Sequence, residues 1–167
     1  MTSPWNVAPR PIPDLPEGAG RFDGVVKCEG SIALGQWNKL IKNEDAVTIP
    51  AGETATVDIE VQSLTTGLVT LECSGGKGSE VTLHYAECYE KDLGVEVAPF
   101  PMPRSKSNRA DSGGRLYGIK DYYIVVDGQL EHIFEPFWFR IFRYIQLKIS
   151  AGKQPLTLRS FTLRETY

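Results

Sequence analysis

The chain has 167 residues, a formal net charge of −3 and a hydrophobic fraction of 41%. This length fits one domain whose core is large enough to need no disulfide or metal staple. The small negative charge gives no electrostatic reason to expect nucleic acid, which usually requires a basic stripe. The apolar stretches are far shorter than the ~20 residues needed to cross a bilayer, so no membrane span is predicted.

The N-terminal segment is rich in proline and predicts an extended lead-in. Five prolines fall within residues 4–16, and proline favours extended backbone outside a packed core. We therefore divide the chain into a lead-in over residues 1–20 and a single β-sandwich module over residues 21–167. The first residues contain no apolar run and do not form a signal peptide. Either the protein stays inside the cell or this segment is expressed without its leader.

The module is predicted to be almost wholly β-structure. Its only helix pattern is short and covers residues 35–43. Several short strands with turn signals between them predict an all-β, antiparallel β-sandwich of the jelly-roll-like type. The strand patterns cover 54–62, 67–75, 79–87, 121–128, 134–150 and 156–165.

Two short links and one long loop connect these strands. LTT (64–66) and GKG (76–78) have the length of hairpin links. GGKGS (75–79) lacks the spacing and the following helix of a phosphate loop, so a hairpin turn is the better interpretation. Residues 90–120 are rich in Pro, Gly, Ser and charge. Loops of that length are usually functional or disordered.

The three cysteines are Cys28, Cys73 and Cys88, and they show no C-x-x-C spacing. A structural zinc site is therefore not expected. Cys73 and Cys88 fall in neighbouring strand patterns and could pair if the protein is secreted. Three buried free thiols are the favoured alternative.

The most informative segment is FEPFWFRIFRYIQLK, residues 134–148. Its alternation predicts a strand with one side in the core and a second side of rings and polar tips. The predicted apolar face is interrupted only by Arg143 and consists of Phe137, Phe139, Ile141, Ile145, Leu147 and Ile149. The predicted polar face consists of Trp138, Arg140, Phe142, Tyr144, Gln146 and Lys148.

The polar face of this strand is a candidate binding surface. Sugar sites combine an aromatic platform with planar polar groups that meet hydroxyls in pairs, and Trp138, Arg140 and Tyr144 supply those types. The alternative is that this face packs on a second sheet or a neighbouring domain. No nucleophile–base set is evident, and His84 and His132 are interpreted as structural histidines in strands.

Arg143 is predicted to point into the core, where an unpaired guanidinium would cost several kcal/mol. In the segment 79–87, Glu87 shares the inward phase of Val81, Leu83 and Tyr85. We therefore predict a structural Glu87–Arg143 ion pair.

Three blocks together resemble a known module. They are WNVAPRPIP (5–13), the run LTTGLVTLECSGGKGSEVTLHYAE (64–87), and the stretch from 108–128 to FEPFWFRIFRYIQLKI (134–149). In order and spacing they are similar to the non-catalytic, concanavalin-like β-sandwich that precedes the catalytic barrel of glycoside hydrolase family 78 α-L-rhamnosidases, especially the fungal type. LRETY (163–167) resembles the segment after which that barrel begins.

The resemblance implies an accessory module without hydrolytic activity, because the general acid and base belong to the barrel. The implied partners are a glycan containing L-rhamnose and the barrel of the parent enzyme, with the module itself a monomer and the parent protein extracellular. Trp138, Arg140 and Tyr144 would contact the sugar, with Arg109, Asp111 and Asp121 nearby. No cofactor is certain. Calcium is possible at carboxylates such as Asp111, Asp121 or Asp127, although no D-x-D-x-D-G loop is present.

Two alternatives to sugar binding stay open at this point. The polar face could dock on the catalytic barrel and bind no sugar, in which case an isolated chain should expose an apolar patch. The chain could also be an enzyme, such as a lyase acting on rhamnose-capped uronic acids, which would need a Tyr, His or Arg set in one cleft.

Overall fold

A computed structural model describes residues 16–93, 104–126 and 131–166. This part of the chain forms twelve strands and one helix, α1 (Leu34–Ile41). The strands are β1 (Glu17–Ala19), β2 (Gly24–Glu29), β3 (Val47–Ile49), β4 (Thr54–Gly75), β5 (Glu80–Ala86), β6 (Tyr89–Asp92), β7 (Arg104–Ser105), β8 (Arg115–Leu116), β9 (Lys120–Ile124), β10 (Glu131–Phe134), β11 (Arg140–Ser150) and β12 (Leu156–Thr166). The predicted antiparallel all-β fold with one short helix is confirmed.

The long strand β4 belongs to both sheets of the sandwich. Its first part, up to Glu60, pairs with β2 and β11, and β5 and β9 continue that sheet beyond β11. Its last part, from Gly67, pairs with β12 and β10, and β1 and β3 add to β12. We call these the first and second sheets. The prediction of two strands joined by a hairpin link at 64–66 is wrong, because those residues continue the strand from one sheet to the other.

The inner faces of the two sheets form one apolar core. The first sheet contributes alternate residues such as Val57, Leu83 and Leu147, and all three are fully buried. The second sheet contributes Leu71 and Phe161, and helix α1 adds Trp37, Leu40 and Ile41. A run of inward aliphatic side chains at period two is what the alternation predicted for these strands. The core therefore leaves the outer face of the first sheet free to carry polar groups.

The link between β4 and β5 joins the two sheets and is not a hairpin turn. Strand β11 lies between β4 and β5 in the sheet order, so the two strands are not hydrogen-bonded neighbours. Gly76 has a φ of +66°, and a Cβ atom there would lie 2.6 Å from the Leu156 side chain. The glycines of GGKGS thus allow the chain to cross in a tight turn from the second sheet to the first.

A register shift inside β11 reverses which side chains face the core. Phe142 pairs with Thr65 and Tyr144 with Glu60, so the single residue Arg143 of β11 faces the four residues 61–64 of β4, where β4 passes from one sheet to the other. After the shift the odd positions are buried, as predicted for Ile145, Leu147 and Ile149. Before it the phase is the opposite, since Phe142 is buried while the odd positions 137 and 141 point outward. The prediction of one continuous apolar face is therefore wrong for Phe137, Phe139 and Ile141, because a bulge changes the phase of a strand.

The three cysteines are free thiols, and Cys73 does not pair with Cys88. Cys73 and Cys88 are buried, and Cys28 is partly exposed. Burial raises the pKa of the Cys73 thiol to about 11. Within the described ranges, no helix is long and apolar enough to cross a membrane.

Candidate functional site

A cleft of about 420 Å³ opens where the chain enters β11, beside the end of β5 and the loop that precedes β9. The segment 138–141 forms one wall, and the residues that follow β5 contribute a second wall. Its lining residues are Tyr85, Ala86, Glu87, Glu90, Lys106, Tyr117, Gly118, Ile119, Trp138, Phe139, Arg140 and Ile141. We call this the Trp138 cleft.

Trp138 gives the cleft an exposed aromatic surface. Its side chain is 52% exposed, and its ring lies 4.9 Å from the ring of Phe139. Trp138 lies two residues before the start of β11, so its exposure is not set by the alternation of that strand. An exposed, supported indole is suited to packing against an apolar face of a ligand.

Arg140 fixes the geometry of the same wall. Its Nη2 donates to Asp121 Oδ1 at 2.6 Å and its Nε donates to Asp121 Oδ2 at 3.1 Å, a two-point ion pair between β11 and β9. Its Nη1 donates to the carbonyl oxygens of Trp138 and Phe139 at 3.2 and 3.3 Å. Because most of its five N–H groups are used in this way, Arg140 chiefly holds the Trp138 segment in place.

The second wall carries exposed charged groups. Lys106 Nζ lies 3.5 Å from the carboxylates of both Glu87 and Glu90, and Arg109 Nη2 lies 3.5 Å from Glu87. The Glu87 and Lys106 side chains are 51% and 48% exposed. The Glu90 carboxylate is the main cause of a raised pKa for Lys106, so the ammonium stays charged. Paired acceptors and donors at this wall can meet hydroxyl groups of a ligand.

Tyr117 adds a second ring to the cleft. Its hydroxyl donates to Asp92 Oδ1 at 2.8 Å, and the Arg104 guanidinium lies 4.0 Å from the centre of its ring. Arg104 in turn pairs with Glu90 at 3.3 Å. These contacts join the loop before β9 to β6 and β7, so the loop becomes a fixed part of the wall.

The structure brings together only some of the residues predicted for the site. Trp138 and Arg140 line the cleft, Asp121 is the partner of Arg140, and Arg109 contacts the lining residue Glu87. Asp111 lies outside the lining, where its Oδ1 accepts a hydrogen bond from the Gly113 backbone at 3.0 Å.

Tyr144 cannot belong to an exposed site. Only 1% of it is exposed, and its ring packs 4.8 Å from that of Tyr89. Its prediction as a ligand contact assumed that positions 138 to 144 share one phase, and the register shift between Phe142 and Tyr144 breaks that phase. The prediction of Tyr144 as a sugar contact is therefore wrong.

The predicted Glu87–Arg143 pair is not formed. Strand β5 ends at Ala86, so Glu87 leaves the inward phase, and its described ion-pair partners are Lys106 and Arg109. Arg143 is half-buried, and its guanidinium carbon lies 5.4 Å from the centre of the Tyr144 ring. The bulge turns Arg143 away from the position that the alternation predicted.

The residues proposed for calcium are used elsewhere or lie outside the described ranges. Asp121 is paired with Arg140, Asp111 supports a turn, and Asp127 lies outside the described residues. In the described part of the chain, no three His, Cys, Asp or Glu side chains are grouped to hold a metal ion.

Sequence reasoning missed several residues of the cleft. Lys106 and Tyr117 belong to the long 90–120 segment. Its length indicated a functional loop, but nothing in its sequence identified these two residues as part of a site. Glu90 and Tyr85 carried no signal, because their place in the cleft depends on how β5 and β6 pack. Tyr85 is buried, which raises the pKa of its hydroxyl.

Gly118 allows a close backbone approach at the edge of the cleft. A Cβ atom there would lie 1.9 Å from the Tyr85 carbonyl oxygen, which is backbone and cannot rotate away. We expect Gly118→Ala to lower the free energy of unfolding by about 2 kcal/mol or more. Gly35→Ala is the matched control, because Gly35 lies in α1 with open space around its Cβ position and alanine should stabilise that helix. Urea unfolding measures both, and an unchanged midpoint for Gly118→Ala would contradict the packing described here.

The fold and this cleft define a β-sandwich module with an exposed aromatic-and-charged site. Residues 52–164 match the family model described as the bacterial α-L-rhamnosidase concanavalin-like domain. The chain belongs to this family. The domain is the concanavalin-like module of such enzymes and not their catalytic barrel. A search of curated proteins found no match.

Several solved structures are similar to this chain at low sequence identity. A rhamnosidase from Klebsiella oxytoca with rhamnose bound matches with a TM-score of 0.50 and 14% identity over 92% of this chain and 29% of that one. A family 78 rhamnosidase of Bacillus sp. GL1 matches with a TM-score of 0.49 and 13% identity over 77% of this chain and 12% of that one. The lectin-binding domain of lectinolysin, complexed with Lewis b, matches with a TM-score of 0.46 and 11% identity over 84% and 92% of the two chains. This chain therefore spans less than a third of the two rhamnosidases.

Proposed function

We propose that this chain is a carbohydrate-binding accessory module of an α-L-rhamnosidase, and that the Trp138 cleft recognises L-rhamnose or rhamnose-capped plant glycans. The observation that carries the proposal is the exposed indole of Trp138 in the same cleft as the Glu87–Lys106 pair. The family membership supports the enzyme context. The parent enzyme is proposed to be secreted, of the fungal type, and to place its catalytic barrel next to this module.

The two walls suit the two sides of a deoxy sugar. The methyl group and axial C–H bonds of L-rhamnose would pack on the indole of Trp138. Its hydroxyls would donate to the Glu87 carboxylate and accept from the Lys106 ammonium. A single ring gains little over its hydration, so we expect a Kd of about 0.1–1 mM.

Replacing the indole should remove most of this binding. We expect Trp138→Ala to weaken L-rhamnose binding about tenfold or more, because an exposed aromatic platform dominates such a small contact. The measurement is an NMR titration that follows chemical shifts, with calorimetry as a second readout. Phe137→Ala is the matched control, since the neighbouring ring is fully exposed and does not line the cleft. Equal effects of the two variants would contradict recognition in the cleft.

Docking on the catalytic barrel is the second candidate function. Exposed apolar side chains surround the cleft, since Phe137, Ile141 and Ile119 are 101%, 55% and 63% exposed. Such a patch on an isolated chain favours self-association. Sedimentation velocity separates the two functions: a clean monomer that binds L-rhamnose supports the cleft, and concentration-dependent association without sugar binding supports docking alone.

A further inference from the structure

A row of polar side chains crosses the outer face of the first sheet, away from the Trp138 cleft. Strand pairing places Lys27 opposite Asp58, Asp58 opposite Gln146, Gln146 opposite His84, and His84 opposite Lys120. Directly paired residues of antiparallel strands point to the same side of the sheet. The five side chains therefore form one line across β2, β4, β11, β5 and β9, which we call the polar row.

The polar row is the floor of a cavity of about 280 Å³. All five of its members line this cavity, and Arg115 and Tyr89 form part of its wall. None of these residues belongs to the lining of the Trp138 cleft. The polar row is thus a separate concave surface on which a ligand can lie.

The centre of the polar row is a buried carboxylate that is already satisfied. Asp58 is 1% exposed, and it accepts hydrogen bonds from the Tyr89 hydroxyl at 2.7 Å and from Gln146 Nε2 at 2.8 Å. Lys27 Nζ lies 3.6 Å from Asp58 and donates to the Ser112 carbonyl oxygen at 2.8 Å. Asp58 therefore fixes its neighbours in place, and Gln146 both donates to Asp58 and lines the cavity.

The accessible charge of the polar row is positive. Lys120 is exposed and forms no ion pair with any residue in the described ranges, whereas Arg115 is 77% exposed in an ion pair with Asp92 at 3.6 Å. Burial, followed by the Lys120 ammonium, lowers the pKa of His84, against the opposing effect of Asp58. The lowered pKa favours the neutral form of His84. Lys27 and Arg115 are each offset by a carboxylate, Asp58 and Asp92, so the ammonium of Lys120 sets the sign of the field. A cavity with this field favours an anion.

The neighbouring positions on the same face suit a sugar ring. Tyr122 follows Lys120 by two residues in β9, so its ring points to the same side of the sheet, and it is 70% exposed. Tyr122 lies outside the cavity lining and next to Lys120 along β9, so one ligand can place its ring on Tyr122 and its negative charge at Lys120.

We propose that the polar row is a second site that binds acidic sugars, with the carboxylate of a hexuronate at Lys120 and Arg115 and its ring over Tyr122. Galacturonate and glucuronate share this chemistry, and separate titrations distinguish them. The site stands independently of rhamnose recognition in the Trp138 cleft.

The test is an NMR titration of the 167-residue chain with galacturonate and glucuronate, compared with the neutral hexoses galactose and glucose and with acetate. We expect uronate to shift the Gln146 side-chain amide and neutral hexose to shift it far less. Lys120→Gln should weaken uronate binding about fivefold, and raising the salt to about 1 M should weaken it as well. Lys77→Gln is the matched control, because Lys77 is exposed and lies outside the polar row.

Three results would overturn the site. They are equal shifts by uronate and neutral hexose, equal affinity for acetate and uronate, and no change on Lys120→Gln. L-Rhamnose should continue to shift the Trp138 indole in Lys120→Gln. A chain that binds uronate but not L-rhamnose would reject the proposed function and support the polar row. A chain that binds L-rhamnose but not uronate would reject the polar row alone.

Discussion

Replacing Asp58 with alanine should lower the free energy of unfolding by about 3 kcal/mol, because the buried Tyr89 hydroxyl and the Gln146 amide lose their acceptor and Lys27 loses its counter-charge. The Asp58 side chain is 1% exposed, so water cannot replace it without opening the sheet surface. Both hydrogen bonds are shorter than 2.9 Å. This network links β2, β4, β6 and β11, so we expect its loss to destabilise the whole first sheet.

Urea unfolding, with the midpoint and slope fitted separately, measures this effect. Asp45→Ala is the matched control, because Asp45 is 64% exposed in its ion pair with Lys39 and exposed pairs contribute about 0–1 kcal/mol. Asp58→Asn keeps the shape of the side chain, so we expect it to lower the free energy of unfolding less than Asp58→Ala does. A change for Asp58→Ala as small as that for Asp45→Ala would show that the network does not stabilise the sheet.

Replacing Arg140 with methionine should destabilise the protein by about 2 kcal/mol and weaken sugar binding in the Trp138 cleft about tenfold. The ion pair with Asp121 is only 19% and 16% exposed, so its loss leaves a largely buried carboxylate unpaired. The Trp138 and Phe139 carbonyl groups also lose their donor. The indole then loses its fixed orientation, and a ligand must restore that order when it binds.

Arg159→Met is the matched control for Arg140→Met. Arg159 is 52% exposed in an ion pair with Glu131 at 3.4 Å on the second sheet, far in the fold from the cleft. We expect it to change stability and L-rhamnose affinity very little. If Arg140→Met keeps full affinity while Trp138→Ala loses it, Arg140 does not position the indole.

The sequence predicted the layers of the fold better than the faces of its central strand. Period-two alternation found the buried residues of β5 and the second half of β11, because those strands pair without interruption. It failed before Arg143, because a bulge depends on how β11 meets the bend of β4 and not on the composition of β11. The prediction therefore placed Tyr144 on the surface and Ile141 in the core, which is the opposite of what the structure shows.

The continuous strand β4 was missed for a related reason. A short polar link between two strand patterns is typical of a hairpin, but 64–66 contains no Gly, Asn or Asp, and its two threonines favour extended backbone. Pairing of Thr65 and Thr66 with β11 then keeps this stretch extended, and β12 pairs with β4 from Gly67 onward.

The candidate sites differ in how far the sequence could reveal them. Trp138 and Arg140 were found because aromatic and guanidinium groups are unusual together in one strand. The charged wall and the polar row were not found, because each joins residues from distant segments. Lys27 and Lys120, for example, share a cavity only through the register of five strands.

The most direct test of sugar recognition is a crystal structure of the chain soaked with L-rhamnose. We predict a sugar ring in the Trp138 cleft, with its methyl face on the indole of Trp138 and its hydroxyls at Glu87 and Lys106. Electron density for the sugar elsewhere on the molecule, or an empty cleft at saturating sugar in a lattice that leaves it open, would contradict the proposed function.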